Sequence, residues 1–187
     1  MRGAARIAAG AALAALLTGV AAGPVAAAER KPSPAVLAKL QELEDYQAIQ
    51  TLLAHYIVVE DDGDWKTYSN LFAKKGELVF QKNDWVGPER IYAGMQAAAD
   101  APNSVLKTRG LRHSTSNVDI QIDGDHAHVT SRWIVMSRQP DGRPLVGATG
   151  RNEDTMVRED GEWKFERRLI YTDFPFDDPL ANQAAKR

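Results

Sequence analysis

Three short stretches govern what the second half of this chain can fold into: Asp123-Gly124-Asp125, Pro140-Asp141-Gly142 and Glu159-Asp160-Gly161. Each places a glycine where a tight turn needs positive φ, a backbone region that other residues enter only at a cost. Between and around them lie runs rich in β-branched and aromatic residues: HSTSNVDIQI, HAHVTSRWIVM, PLVGATGRNEDTMV and EWKFERRLIYTDF. Runs of this kind joined by short turns pair with their neighbours in sequence, so the half-chain reads as an antiparallel meander.

The first half carries the helical period instead. From Pro34, with Ser33 as a cap, apolar residues recur at Val36, Leu37, Leu40, Leu43, Ile49, Leu52, Leu53, Tyr56 and Ile57. This predicts one long helix to about Val59, or two in line with a break near Leu43–Tyr46, ended by Asp61-Asp62-Gly63. A short helix capped by Asp64, a strand over Glu77–Phe80 and a third helix with Pro88 in its first turn follow, then loop over 99–110. Helices first and a meander second predict an α+β fold, with the helices packed on one face of a curved antiparallel sheet.

The start of the chain is set apart by composition. Arg2 and Arg6 precede an apolar stretch from Ile7 to about Val20, and Ala26-Ala27-Ala28 supplies small residues for cleavage. This pattern predicts a signal peptide over 1–28, a linker over 29–33, a domain over 34–176 and a polar tail over 177–187, hence an exported, periplasmic or secreted protein with no membrane attachment after cleavage. The whole chain of 187 residues has a formal charge of −2, and cleavage removes two arginines and no acid. A mildly acidic domain is a poor partner for nucleic acid. The absence of cysteine excludes disulfides, a thiol nucleophile and Cys-based metal sites.

No glycine-rich phosphate loop, GxSxG elbow or HExxH helix occurs. Of the four histidines, His126 and His128 share one face of a strand beside a turn and read as an exposed strand end rather than a metal site. His55 reads as solvated, since Tyr56 fits the apolar face better. His113 opens the first long strand. The remaining oddity is Glu60-Asp61-Asp62-Gly63-Asp64, acids placed directly after an apolar helix.

The segments DYQAIQTLLAHYIVVEDDGDWKTYSNLFAKKGELVF, RHSTSNVDIQIDGDHAHVTSRWIVM and DGEWKFERRLIYTDF, in this order and spacing, resemble the SnoaL-like branch of the nuclear transport factor 2-like superfamily. The resemblance implies a cone: a curved antiparallel sheet wrapped around N-terminal helices and enclosing an apolar pocket. Within that branch the chain is similar to scytalone dehydratase and bile-acid dehydratase, which work by acid–base elimination without a cofactor. Their patterns fall on Tyr56, Asp61 and His113 as catalytic residues and on Asn152 as a pocket residue. They depart at Glu60 and Phe80, where one relative has tyrosines, at Ser131 or Arg132, where it has a second histidine, and at about Thr172, where the other has an arginine. Asp61 is then the inward acid, with Glu60 in solvent, Asp62 in the turn and Asp64 as a cap. A Tyr-to-Asp spacing of five shares a face only if the helix ends near Glu60. Trp85, Ile91, Met95, Trp133 and Phe165, with Phe80, are the expected apolar lining.

The function implied is a cofactor-independent, metal-free lyase. It would remove water, or formaldehyde by a retro-aldol step, from a hydroxylated hydrophobic aromatic or terpenoid small molecule. Alternatives on the same cone are an isomerase or epoxide hydrolase using Asp61 alone, and a binding module without catalysis in which Asp61 and His113 are a structural pair. The resemblance also implies a homodimer or higher homo-oligomer through the outer face of the sheet.

Overall fold

Proline is tolerated in the first turn of a helix, and Pro34 opens α1 (Pro34–Asp62), a single helix of 29 residues. The computed structural model describes residues 31–102, 104, 106, 110–139 and 141–174. The leader expected over 1–28, the first residues of the linker, Pro140 of the second turn and the tail over 177–187 lie outside the described residues. Of the two readings of the first helix, the unbroken one is found: Leu43–Tyr46 contains no glycine or proline, and Asp45 within it is anchored to the sheet. Buried positions run Asp45, Ile49, Leu52, Leu53, Tyr56 and Val59, one stripe at helical spacing. Val36, Leu37, Leu40 and Leu43 continue the period towards the N-terminus but stand 47–56% exposed.

Gly63, at φ 70°, stops α1. Asp64 then caps α2 (Trp65–Asn70), its carboxylate accepting the Thr67 N–H at 3.1 Å. The chain continues as β1 (Phe72–Phe80), β2 (Asn83–Val86) and α3 (Pro88–Asp100). β1 begins five residues before the expected strand, and β2 was not expected at all. The β1–β2 turn places Gln81, not glycine, at φ 56°, so the usual hairpin signal is missing from the sequence.

The meander forms as expected: β3 (Arg112–Asp123), β4 (His126–Arg138), β5 (Pro144–Glu159) and β6 (Glu162–Phe174). Gly124, Gly142 and Gly161 occupy its turns at φ 59°, 86° and 84°. The sheet is curved and unclosed, in the order β2-β1-β6-β5-β4-β3. It is mixed rather than wholly antiparallel, because β1 runs parallel to β6. A meander leaves its last strand with an unpaired edge, and β1, arriving from the helices, covers it. α1 packs on β3 and β6, while α3 packs on α2, β1 and β2. The alternating inward residues of the strands meet these helices; on β4 they are Ala127, Val129, Ser131, Trp133, Val135 and Ser137.

Asp45 fixes the middle of α1 to the β5–β6 hairpin. Its Oδ1 accepts from Trp163 Nε1 at 3.2 Å, from Gln41 Nε2 at 3.1 Å and from Arg158. The Arg158 guanidinium stacks 4.7 Å from the Trp163 ring centroid and donates to Asp125 at 3.0 Å. Burial pushes the Asp45 carboxyl up, but the hydrogen bonds from Arg158, Trp163 and Gln41 outweigh it and hold it below the usual range. A carboxylate held low stabilises the fold fully above its unfolded pKa, about 3.9, and loses that contribution as pH falls through the folded value. Asp45→Ala is therefore expected to cost about 1–3 kcal/mol at pH 7. The difference from wild type should shrink towards pH 3. Urea midpoints at the two pH values check this, and a difference independent of pH contradicts it.

Candidate functional site

The last two turns of α1 carry Tyr56, Glu60 and Asp61. Residues four apart share a helix face, and Tyr56 and Glu60 both line a cavity of about 250 Å³ between the helices and the concave face of the sheet. Asp61, on the flank, lies instead on a second, adjoining cavity with Asp62, Trp65 and Gln96. His113, second residue of β3, lines both cavities.

Asp61 and His113 are joined by three contacts. The His113 backbone N–H lies 3.1 Å from each carboxylate oxygen of Asp61, and ring Nδ1 lies 2.7 Å from Oδ1. With a carboxylate as its partner, Nδ1 carries the proton and Nε2 is left to accept one. Both side chains are largely buried, at 15% and 13% exposure. Arg112 donates to the Asp61 carbonyl at 3.5 Å and to the Leu111 carbonyl at 2.6 Å, placing positive charge at the negative end of α1.

Glu60 was expected in solvent, and the structure turns it inward. α1 continues to Asp62, so Glu60 keeps its helical register with Tyr56 and lines the apolar cavity with it. Burial pushes the Glu60 carboxyl up; the charges of His113 and Arg168 pull it down and that of Asp61 pushes it up, and burial prevails. The same continuation explains why Asp61 does not share the face of Tyr56: it reaches His113 from beside the cavity.

The polar lining beyond this comes in pairs. Tyr56 and Tyr68 hydrogen-bond through their hydroxyls. Both phenols are pushed up by burial and so stay protonated. Arg168 Nη1 donates to Asp154 at 3.2 Å, and its guanidinium lies 4.0 Å from the Tyr56 ring centroid. Burial pushes the Asp154 carboxyl up against the pull of Arg168. Arg168 Nε and Asp154 Oδ1 are buried without a hydrogen-bond partner among the described residues. Asn152 lines the cavity as expected and donates to Ser131 at 3.1 Å. Ser131 is thus the inward residue of that pair of positions, and Arg132 faces out to Asp173.

Phe80, Trp85, Met95 and Trp133 line the cavity, with Leu78, Leu106, Leu111 and Ile170. Ile91 and Phe165 do not. Both are fully buried beneath it, Phe165 between Tyr56 and Phe72 at ring distances of 5.4 and 5.2 Å. Thr172 lines the wall, but the cavity's arginine is Arg168. Strand alternation from Phe165 would turn Arg167 inward. A bulge between the Thr155–Arg167 and Met156–Phe165 pairs shifts the phase and turns Arg168 inward instead. That inward arginine, with Glu60, Tyr68 and Asp154, is what the sequence reading missed. Glu60 had a signal, its spacing of four from Tyr56; Arg168 had none. His126 and His128 are exposed on the other face of the sheet, His126 with Glu166 at 3.8 Å, and His55 is exposed as expected. Among the described residues no group of three His, Asp or Glu is placed to hold a metal ion.

Two glycines seat the cavity's tryptophans. A Cβ at Gly94 would lie 2.3 Å from Trp85 Cε2, and one at Gly150 would lie 1.9 Å from the Tyr171 carbonyl oxygen and 2.5 Å from the Trp133 ring.

This geometry belongs to an α+β pocket protein with a curved sheet and, on the pocket wall, a histidine held by an aspartate from outside it. The chain is a member of the SnoaL-like domain family, whose model matches residues 41–169. Among solved structures it is similar to an NTF2-like protein with a cystatin-like fold from Novosphingobium aromaticivorans, with 22% identity, TM-score 0.68, and coverage of 84% of this chain and 98% of that one. It is also similar to a candidate scytalone dehydratase from the same organism, with 24% identity, TM-score 0.58, and coverage of 71% and 87%. Aln2 from a Streptomyces species aligns with 23% identity, TM-score 0.61, and coverage of 83% and 99%. At these identities the likeness establishes the fold. No curated protein matches by sequence.

The two glycines should respond differently to substitution. At Gly150 the obstacle is backbone, which cannot give, so Gly150→Ala is expected to cost about 3 kcal/mol or more. At Gly94 the obstacle is a side chain on a short edge strand, so Gly94→Ala should cost less and displace Trp85. Thermal melts and tryptophan emission check both, and equal destabilisation contradicts the assignment.

Proposed function

We propose that the protein is a cofactor-independent lyase acting on a hydroxylated, hydrophobic small molecule. The observation that carries this reading is His113 on the wall of an apolar cavity, its Nδ1 held by Asp61 from outside that cavity. The arrangement presents Nε2 to a guest as a base and stabilises the imidazolium that forms. Two protonated phenols, Tyr56 and Tyr68, and the Arg168 guanidinium are available to hold an oxygen on which negative charge develops. In a dehydration, Nε2 takes a proton from carbon, the C–O bond breaks, and the leaving hydroxyl takes a proton and departs as water. In the retro-aldol variant, the base takes the hydroxyl proton of a hydroxymethyl group, the C–C bond breaks, formaldehyde leaves, and the carbon left with the electron pair takes the proton back from the imidazolium. The likeness to a candidate scytalone dehydratase supports the first. A cavity of about 250 Å³ exceeds the ~150 Å³ void that takes up benzene and suits a guest of one or two rings.

One observation favours a second reading, binding without turnover. Asp61 accepts the His113 backbone N–H as well as its ring, so the pair also latches β3 to α1. A panel of hydroxylated one- and two-ring aromatics and terpenoids, with product masses read, separates loss of water, loss of formaldehyde and no reaction. On a turned-over compound, His113→Ala is expected to lower kcat by about 10²–10⁴-fold. A loss under tenfold removes the histidine from the chemistry. No turnover, with His113→Ala costing about 3–5 kcal/mol of stability, leaves the binding module.

The protein is further proposed to act outside the cytoplasm after loss of its leader, as a homodimer or higher homo-oligomer. Ile134 and Tyr171, 39% and 37% exposed on the outer sheet face, supply apolar surface for self-association. Light scattering at micromolar concentration should give at least twice the mass of one chain, and the mass of a single chain contradicts this.

A further inference from the structure

The mechanism above leaves one half-buried acid of the cavity, Glu60, without a task. Glu60 lines the apolar cavity beside Tyr56 and also lines the adjoining, acidic one. Among the described residues only Glu60, His113, Leu106 and Leu111 line both, so this carboxyl and the imidazole stand together where the two spaces meet. A purely structural carboxyl in such a place would be expected to have a fixed donor. Glu60 has no hydrogen bond or ion pair to a side chain among the described contacts, although Arg168 and His113 are both close enough to act on its charge.

We propose that Glu60 is a second proton-transfer residue of this site, holding a proton and donating it to an oxygen of the guest. The step it would take rests on the lyase reading. His113 Nε2 removes the proton from carbon and the C–O bond breaks. The leaving hydroxyl takes the Glu60 proton and departs as water, and the imidazolium then returns its proton to the Glu60 carboxylate. Carbon loses H and OH, both residues end as they began, and no other reactant is needed. The adjoining cavity, more polar than the first and bordered by the same two residues, gives the water a way out that avoids the apolar guest.

The surroundings fit a carboxyl held above the usual range by burial. Glu60 faces Tyr56 and Asp61 on its own helix, Tyr68 on α2, His113 on β3 and Arg168 on β6. Asp154 answers the Arg168 charge directly, and the phenols stay neutral. What remains is burial, which disfavours the carboxylate. Two titratable groups in one cavity, a base fixed by Asp61 and an acid raised by burial, divide the two proton tasks.

The test has two arms. In protein carrying ¹³C at the glutamate carboxyls, the signal lost in Glu60→Gln belongs to Glu60. Its midpoint is expected above that of ordinary glutamate, about 4.3, and a midpoint in the ordinary range overturns the proposal. The second arm uses 2-naphthol as an oxygen-bearing two-ring probe, with binding read by its fluorescence. Wild-type affinity should fall at least fivefold as pH rises through the Glu60 midpoint. Glu60→Gln, which keeps a donor but cannot titrate, should bind with no such step. A step that persists in Glu60→Gln, or no binding of naphthol at any pH, overturns it. Neither arm needs turnover, so the two readings fail separately. If the panel yields no product while both arms hold, the lyase reading falls and Glu60 stands as a donor to the guest. If Glu60→Gln turns a panel compound over at the wild-type rate and with the wild-type pH profile, Glu60 leaves the chemistry and the lyase reading survives.

Discussion

The contact between Asp61 and His113 ties the helical half of the molecule to the sheet. It spans 52 residues, joining the end of α1 to the start of the meander. An acid there opposes the helix dipole at a cost of about 0.3–1 kcal/mol, and Glu60, Asp61 and Asp62 stand in the last turn with no basic residue beside them in the helix. The cost is offset from outside the helix. His113 supplies two donors to one carboxylate and Arg112 answers the carbonyl end. The contact that closes the domain at this point is thus also the one that orients the imidazole.

The cavity above it reconciles apolar walls with polar contents by pairing. Arg168 is held by Asp154, Asn152 by Ser131, and Tyr56 by Tyr68. An arginine at 2% exposure is tolerated only with such a partner. Each pair leaves hydrogen-bonding capacity unused, and Arg168 Nε and Trp133 Nε1 are buried donors with no partner among the described residues. Rigid surroundings keep these groups in place. The tryptophans are seated over glycines in α3 and β5, and α1 is pinned at mid-length by Asp45. Groups fixed before a guest arrives need no reorganisation when charge moves.

Much of the architecture was legible because it is locally encoded. Three glycine turns specify the meander, since a turn's backbone angles depend on a few neighbouring residues. The Asp64 cap, Pro88 in the first turn of α3 and the Ile49–Val59 stripe are local in the same sense. The pairing of Asp61 with His113 was legible only through likeness to a family, because nothing near either residue in the sequence requires the other.

The remainder was decided by tertiary structure, for definable reasons. Whether α1 stops at Glu60 or runs on to Asp62 depends on packing against β3, and that choice turns Glu60 into the cavity and sets Asp61 beside it. The parallel β1–β6 pair depends on which edge the meander leaves open. The inward turn of Arg168 depends on one bulge, which flips strand phase without leaving a mark in the residue pattern. The turns, the helix caps and the alternation of apolar residues are written in the residue order, because these arise between near neighbours. Which acid lines the cavity, which arginine sits in it and what holds the imidazole are set by packing, because each depends on residues brought together from distant parts of the chain.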